Sequence, residues 1–468
     1  MPSRNKLAYD ASTMPHGIFP PADFVSRLKL SELISALSHA LDITEGQPEG
    51  HCVRCCWIGM QVGRRLGLPD DDLWGLYYTL LLKDLGCSSN AARICELYLT
   101  DDLAFKRDFK TVGDSLPQVL NFVLGHTGLK APLAERFRSV LNIVRHGDDL
   151  ATELIHTRCQ RGAEIARLLR FPDEVAAGIY SLDEHFNGHG RPQGLAGQDI
   201  PLYSRIALLA QVVDVFHTAG GRQSALDEIR LRDGRWFDPE LVEAFFAVAD
   251  DEAFWTMLAS PAVGDAVLAL EPASHVVGLD DDYLDDIAAA FGQVVDSKSP
   301  YTSGHSVRVA LYTDLVAETL GISPERRRWL KRGALLHDVG KLGVSNSILD
   351  KPGKLDDDEW EAVKAHAMYT ETILSRIEAF GELARVSGAH HERLDGRGYP
   401  RGLGAADIRI ETRIITTADI FDAITAERPY RGAVPVPRTL EIMAEHVGSA
   451  IDPDCFAALK KAIDRLPV

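Results

Sequence analysis

The stretch LLHDVGK (Leu335–Lys341) decides the fold of this chain because it stands within an ordered row of histidines and aspartates. A histidine–aspartate pair often occurs by chance, so its meaning depends on the motifs on either side. PYTSGHS (Pro300–Ser306) precedes it, while HHERLDGRGYP (His390–Pro400) and TADIFDA (Thr417–Ala423) follow it. The candidate ligands of metal ions in this row are His305, His337, Asp338, His366, His390, His391 and Asp419.

These side chains fall on the apolar faces of predicted helices. His305 lies one turn before Val309, and His366 lies on an apolar stripe that includes Trp360. A single histidine in such a place is usually a packed core residue. Several imidazoles and carboxylates aimed into one helical core are too costly to bury without mutual compensation, so the pattern indicates a metal centre. Alternating strand patterns are scarce, and we expect an all-α protein.

The row as a whole, with GRGYP beside the histidine pair, resembles the HD-GYP family of bacterial metal-dependent phosphohydrolases, which cleave cyclic dinucleotides, chiefly cyclic di-GMP. The resemblance implies two divalent metal ions bridged by Asp338, with His305, His337 and Asp419 on one side and His366, His390 and His391 on the other. A water between two cations becomes a hydroxide nucleophile at neutral pH. The expected reaction is therefore hydrolysis of cyclic di-GMP to linear pGpG.

The resemblance also implies roles for residues around the metals. Asp338 and Lys341 form the catalytic set, with Lys341 contacting the scissile phosphate. Arg428 and Arg431, in AERPYR, match basic positions that hold the substrate's phosphates, for which the forked guanidinium is suited. Tyr399 is either a contact to the substrate's nucleobase or a packing residue of its Gly-Pro turn. Asp422 is expected to orient a ligand or the lysine.

The number and kind of metal follow partly from the same resemblance. The family implies iron or manganese, and the histidine and carboxylate ligands also suit zinc. Some members hold a third metal with a glutamate four residues before the first histidine, and that position is Tyr301 here. We therefore expect two metals and a reaction that ends at the linear dinucleotide.

The chain contains the same unit twice. The Gly-His pairs at 50–51 and 304–305 differ by 254 residues (305 − 51), and the tails FDPELVEAF (237–245) and IDPDCFAAL (451–459) also match. An insertion of roughly residues 92–150 changes the offset in the first copy. The expected matches are Lys83 with His337, Asp84 with Asp338, His156 with His366, and Asp214 with Asp419. The prediction is an N-terminal tail (1–29), a degenerate HD-GYP-like repeat (30–271) and a catalytic HD-GYP domain (283–468), two tandem HD-type helical domains.

The first repeat is expected to be catalytically silent. Lys83 opposes a cation, Leu182 and Asp183 replace the histidine pair, and Cys87 replaces the phosphate-binding lysine. A single rebuilt metal site that uses nearby histidines is the alternative. The run HCVRCC (His51–Cys56) is interpreted as core packing, because buried thiols behave as small hydrophobic groups.

Composition excludes several classes of partner. The net charge of −18 argues against charge-driven binding of nucleic acid, which needs a basic surface. No apolar run approaches the roughly 18 residues of a membrane span. Seven scattered cysteines suit a reducing compartment. We expect a cytoplasmic protein that binds neither nucleic acid nor a membrane.

The expected partner is cyclic di-GMP, with cyclic GMP-AMP as a second substrate, and a homodimer or a signalling protein as a macromolecular partner. The rival interpretation is a receptor that binds cyclic dinucleotides without cleaving them. The presence of Lys341 and of both arginines favours the enzyme, because a receptor does not need the full catalytic set.

Overall fold

The computed structural model describes residues 29–113, 116–129, 131–273, 277–427 and 431–465. Within these ranges the chain forms helices, together with three isolated β-bridges and no strand, which confirms the predicted all-α fold. None of the helices in these ranges is both long and apolar enough to cross a membrane. Arg428, one of the predicted substrate residues, lies outside the described residues.

The first repeat begins with three helices that pack on one another and ends with a second group that completes its core. The bounds are α1 Leu30–Thr44, α2 His51–Arg65, α3 Asp70–Leu82, α4 Ala91–Tyr98, α5 Asp102–Phe109, α6 Leu116–His126, α7 Leu133–Leu168, α8 Asp173–Tyr180, α9 Leu202–Arg232, α10 Pro239–Ala249, α11 Glu252–Leu258 and α12 Val263–Leu268. Helix α9 is kinked at Gly221, whose φ is 76°.

The second repeat follows the same order without the inserted helices. Its bounds are α13 Asp281–Asp296, α14 His305–Thr319, α15 Pro324–Leu336, α16 Asn346–Leu349, α17 Asp357–Ser375, α18 Gly381–Gly388, α19 Ile410–Thr425, α20 Val436–Ala444 and α21 Pro453–Ile463. A short 3-10 helix, Val339–Gly343, follows α15 and carries Lys341.

Local sequence sets where these helices begin. Asp356 and Glu359 form a capping box at the start of α17, each side chain accepting from the other residue's backbone N–H. Asp280 caps α13 by accepting from the backbone N–H of Tyr283. Gly50 and Gly304 precede α2 and α14 with φ of 83° and 68°, a conformation that glycine adopts without strain. The Gly-His pair therefore places a histidine on the first turn of a helix in both repeats.

Close contacts at two glycines correct the predicted register between the repeats. A Cβ on Gly340 would lie 2.0 Å from the carbonyl oxygen of His366, and one on Gly86 would lie 1.9 Å from that of Arg158. Arg158, and not His156, therefore occupies the position of His366. The offset after the insertion is 208 residues (366 − 158), the same value that aligns NGHGRP with DGRGYP (395 − 187). The expected match of His156 with His366 is wrong, because it was based on residue identity and not on the distance in sequence from the neighbouring motifs.

The larger hydrophobic core of the described residues contains side chains from both repeats, and a second core lies within the second repeat. Helix α1 of the first repeat packs against the 3-10 helix Val339–Gly343 and against α17 of the second, while α13 of the second packs against α7 of the first. One continuous cluster of buried side chains accordingly contains residues from both repeats, from Leu30 to Ala384. The first helix of each repeat therefore packs on the other repeat as well as on its own. The domain boundaries at 30–271 and 283–468 stay a prediction, and the shared core means that neither range buries its apolar surface alone.

The corrected register can be tested with a matched pair of substitutions. Gly340→Ala and Gly86→Ala introduce equivalent clashes, so each is expected to lower the free energy of unfolding by about 2–3 kcal/mol, as in other overpacked sites. Only Gly340→Ala also displaces a predicted metal ligand, His366. Denaturation and elemental analysis should show two destabilised proteins, of which Gly340→Ala alone is depleted in metal. Equal metal content in both would contradict the register.

Candidate metal centre

All the predicted ligands meet in the interior of the second repeat. They are His305 at the start of α14, His337 and Asp338 directly after α15, His366 in α17, His390 and His391 after α18, and Asp419 in α19. His391 is partly exposed and the others are buried. Five helices therefore fix the geometry, because each ligand lies within one of them or within the few residues that follow it.

Asp338 lies at the middle of the cluster. Its Oδ2 atom is 3.3 Å from Nε2 of His305 and 3.3 Å from Nε2 of His337. Its Oδ1 atom is 3.6 Å from Nε2 of His366 and 3.7 Å from Nε2 of His390. Each carboxylate oxygen thus faces a different pair of imidazoles, which is the arrangement that a bridging carboxylate needs.

The ligand atoms form neighbouring groups, each within 4.8 Å. One group is His305, His337 and Asp338, another is His366, His390 and His391, and a third joins His337, His390 and Asp419. Oδ1 of Asp419 is 3.4 Å from Nε2 of His305, so it belongs with the first group. The donors are close enough together for two cations to lie side by side, and the third group joins ligands from the two expected sides, so the division of ligands between the metals stays a prediction.

The unused hydrogen-bonding capacity of the cluster fits this chemistry. Nε2 of His305, Nε2 of His337 and Oδ1 of Asp338 are buried and have no hydrogen bond of good geometry among the described residues. Nδ1 of His337 lies 2.7 Å from the carbonyl oxygen of Ala334, and Nδ1 of His390 lies 2.6 Å from that of Ser387. A carbonyl only accepts, so Nδ1 of each ring carries the proton. The Nε2 lone pairs then point into the cluster, as metal ligands require.

Asp422 contacts Nδ1 of His305, the ring nitrogen that does not face Asp338. One of its carboxylate oxygens lies 2.7 Å from Nδ1 of His305, and the other accepts from Nε of Arg308 at 2.6 Å. This contact orients the imidazole toward Asp338, and the orienting role of Asp422 stays a prediction.

The electrostatics of the metal-free cluster favour a bound cation. Burial lowers the pKa of His366 to about 4 and that of His391 to about 3, so both rings are neutral at neutral pH. Burial also disfavours the charged form of Asp338, but His337 and Lys341 outweigh it and hold the pKa of Asp338 well below its usual value. For His305, the carboxylates of Asp338 and Asp422 outweigh burial and raise the pKa to about 9, so this ring carries a positive charge in the metal-free cluster. A metal binds the neutral imidazole, so binding at His305 would release that proton.

The predicted substrate residues lie in different places. Nζ of Lys341 is 2.5 Å from Oδ2 of Asp338 and its side chain is partly exposed, so it stands between the cluster and solvent. The ring of Tyr399 lies 4.7 Å from that of His391, centroid to centroid. Arg431 instead donates to the carbonyl oxygens of Ala423 and Ile424, at the end of α19.

Trp360 is a feature of the site that the sequence pattern did not reveal. Its helical spacing suggested a core residue, yet its side chain is 46% exposed because it lies in the first turn of α17, where the helix leaves the core. Its ring lies 6.0 Å from that of Tyr399. Trp360, Lys341 and Tyr301 together line a pocket of 220 Å³ beside the cluster. The only sign of this role in the sequence was a large aromatic residue near the start of α17, the helix that carries His366.

The equivalent place in the first repeat is filled by a side-chain cation. Nζ of Lys83 lies 3.0 Å from Nε2 of His51 and 3.1 Å from Oε1 of Gln211, and it also contacts the carboxylate of Asp84. Asp214 contacts His51 and Arg54 at 2.6 Å each, as Asp422 contacts His305 and Arg308. Asp214 therefore matches Asp422, and Gln211 matches Asp419 (419 − 211 = 208). The expected match of Asp214 with Asp419 is wrong.

More cations complete the charge balance of that repeat. Nζ of Lys110 lies 2.7 Å from the carboxylate of Glu45, and Arg158 pairs with Asp183. Two groups there, His51, Cys55 and Asp214, and Glu45, Asp84 and Cys87, have donors close enough to share an ion. Lys83 and Lys110 lie among these donors and repel a metal. Cys55 and Cys56 are fully buried, in agreement with a packing role.

Comparisons with known proteins match this chain to the HD domain and to phosphodiesterases of cyclic dinucleotides. A family model described as HD domain matches residues 137–241 and 290–455. The 3′3′-cGAMP-specific phosphodiesterase 3 of Vibrio cholerae is 58% identical over 438 residues, which are 94% of this chain and 95% of that protein. A crystal structure described as a cyclic GMP-AMP specific phosphodiesterase in V. cholerae shares 52% identity, covers 94% of this chain and 98% of its own, and superposes with a TM-score of 0.64.

A more distant relative matches about a third of the chain. The cyclic di-GMP phosphodiesterase response regulator of Xanthomonas campestris is 38% identical over 171 residues, which are 36% of this chain and 45% of that protein.

Paired substitutions in the two repeats test the metal centre. Asp338→Asn removes the charge and one ligand oxygen at the centre of the cluster, so it is expected to abolish binding of both metals. Asp84→Asn, at the equivalent position, is expected to reduce stability, because it leaves the ammonium of Lys83 without its carboxylate, but not to change metal content. Elemental analysis of the folded proteins distinguishes them. Two metals per chain retained by Asp338→Asn would refute the bridging role.

Proposed function

This chain belongs to the HD-GYP type of the HD-domain family, and from that premise we propose that it is a metal-dependent phosphodiesterase that opens 3′,3′-cyclic dinucleotides. The observation that carries the proposal is the convergence of buried, unpartnered ligand atoms on the two oxygens of Asp338, with Lys341 beside them. A receptor that only binds the nucleotide would not need that costly arrangement.

One set of residues would bind the two metal ions, and Lys341 would contact the phosphate. His305, His337, Asp338 and Asp419 would hold one divalent ion, and His366, His390, His391 and Asp338 the other. When bound, the two ions supply a water acidic enough to attack phosphorus and offset the negative charge of the phosphate. Lys341 presents its ammonium group to a non-bridging phosphate oxygen. Attack on phosphorus breaks the bond to the 3′ oxygen and leaves a linear dinucleotide with a 5′-phosphate and a 3′-hydroxyl.

We propose 3′3′-cGAMP as the preferred substrate. The relative that bears this name matches both repeats across 94% of this chain. Cyclic di-GMP, the substrate expected from the sequence, is the second candidate, because the relative of that name matches 36% of the chain. Linear pApG or pGpA is the product of the first reaction, and pGpG is the product of the second.

Trp360 and Tyr399 supply a place for one nucleobase. Trp360 lines the pocket that contains Lys341, and the ring of Tyr399 lies 6.0 Å from that of Trp360. Every purine has an aromatic face, and stacking on a protein ring contributes about 1–3 kcal/mol. We therefore assign Trp360 a stacking role, and the nucleobase alternative for Tyr399 is favoured over simple packing.

Turnover by the full-length protein tests the function. The protein, loaded with manganese or anaerobically with ferrous iron, is incubated with 3′3′-cGAMP and with cyclic di-GMP, and the products are separated by chromatography. The proposal predicts linear dinucleotides from both, with the higher kcat/KM for 3′3′-cGAMP. Tight binding of either compound without any cleavage would instead support the receptor.

Replacement of Lys341 tests the orientation of the phosphate. Lys341→Met keeps the length of the side chain and removes the charge, and it should lower kcat/KM about ten- to a hundredfold, the effect of losing one charge-assisted hydrogen bond. Metal content should stay normal, because an ammonium group does not bind a cation. Lys364→Met, on the exposed face of α17, is the control. Unchanged kinetics in Lys341→Met would exclude the assigned contact.

Replacement of Trp360 tests the stacking platform. Trp360→Ala should raise KM for the cyclic dinucleotide by roughly tenfold, while Trp360→Phe, which keeps an aromatic face, should recover most of the affinity. The exposed Met368 on the same helix offers a control in Met368→Ala. An equal KM in the alanine and phenylalanine variants at position 360 would show that stacking is not its role.

A further inference from the structure

A buried carboxylate of the first repeat lies against the substrate side of the second. Asp102 begins α5, within the insertion that the second repeat lacks, and its side chain has no exposure to solvent. Its Oδ2 atom is 3.3 Å from Nζ of Lys298, and its Oδ1 atom accepts from the hydroxyl of Ser345 at 3.0 Å and from the backbone N–H of Asn346 at 2.8 Å. All three of these partners belong to the second repeat.

Those partners belong to two chain segments that form the walls of the pocket beside Lys341. One segment contains Lys298, Ser299, Tyr301 and Thr302, and the other contains Ile348, Leu349, Asp350 and Lys351. Lys298 starts the first wall, three residues before Tyr301. Ser345 and Asn346 start the second wall, directly after the turn that carries Lys341. Asp102 therefore contacts the base of both walls at once.

Further hydrogen bonds connect the two walls to each other through Asn346 and Asp350. Nδ2 of Asn346 donates to the carbonyl oxygen of Lys298 and to Oδ2 of Asp350, at 2.7 Å each. The hydroxyl of Ser299 donates to Oδ1 of Asp350 at 2.5 Å. These contacts set the distance between the walls, and Asp102 supplies their buried anchor.

The negative charge of Asp102 is balanced by two buried lysines, Lys298 and Lys106. Lys298 is 2% exposed and needs an anion nearby, since a buried ammonium group is costly without one. Lys106 approaches the same carboxylate at 3.7 Å, and its ammonium group also donates to the carbonyl oxygens of Thr44 and Cys87. Asp102 thus joins the core of the first repeat to the pocket of the second.

We propose that Asp102 is a positioning residue for the substrate pocket, so that the degenerate repeat completes the catalytic repeat by holding the two walls at the spacing that a cyclic dinucleotide requires. This assignment rests on the proposed function for its substrate, although the wall geometry itself does not. The metal ligands lie on other segments, so loss of the anchor should affect substrate binding more than metal binding or the chemical step.

Kinetics of full-length, metal-loaded variants test the proposal. Asp102→Asn keeps the shape of the side chain but removes the charge, and we expect KM for 3′3′-cGAMP to rise roughly tenfold with kcat within about twofold and metal content unchanged. Ser345→Ala, a milder change that removes one hydrogen bond, should shift KM in the same direction by a smaller factor. Asp108→Asn is the matched control, because Asp108 lies on the same helix but pairs with Arg107 and His126 within the first repeat. A lower kcat at constant KM would indicate a smaller folded fraction and would overturn the assignment.

Hydrogen–deuterium exchange gives a second readout that needs no turnover. Asp102→Asn and Ser345→Ala should speed exchange in residues 297–302 and 344–351, whereas Asp108→Asn should not. Faster exchange in these segments would support the positioning role even if the wild-type protein cleaved neither cyclic dinucleotide, and that outcome would reject only the proposed function. Unchanged exchange in both segments, with a normal KM, would overturn the role of Asp102.

Discussion

A carboxylate buried among helices needs a positive charge, and both repeats of this chain bury such a carboxylate at the same point of the fold. Asp84 and Asp338 follow equivalent helices, α3 and α15, and both are 1% exposed. In the first repeat the ammonium group of Lys83 contacts Asp84 directly. In the second repeat the equivalent residue is His337, and Asp338 faces four imidazole nitrogens. A bound pair of divalent cations is our proposal for how that repeat meets the same electrostatic requirement.

The shared core explains why the degenerate repeat is tightly joined to its partner. Helices α1 and α13 each pack on the opposite repeat, and Tyr283 of α13 donates from its hydroxyl group to the carbonyl oxygen of Leu169 at 2.8 Å. The insertion of the first repeat extends this relationship to the substrate side, where Asp102 meets Lys298. A repeat that has lost its ligands can therefore still shape the site of the other.

Sequence reasoning succeeded where motif and spacing carried the information. The all-α fold and the duplication depend on local patterns and on the family resemblance. The ligand set has the same basis and stays a prediction, although its side chains converge in the second repeat. The matches of His156 and Asp214 failed, because identical letters two or three positions away from the correct register were more conspicuous than Arg158 and Gln211. Only the contacts of Gly86 and of His51 fix that register. Trp360 was placed in the core because helical spacing does not show where a helix leaves the core. Asp102 could not be predicted, since its partners lie more than 190 residues away in the chain.

The most direct test of this account is anomalous X-ray diffraction from crystals of the full-length protein grown with manganese, recorded on both sides of the manganese absorption edge. We expect two anomalous peaks in the second repeat, one near His305 and His337 and one near His366 and His390, with Asp338 between them. We expect no peak near Lys83. A peak at the first repeat, or a single peak in the second, would contradict the assignment of a two-metal centre to one repeat and an internal cation to the other.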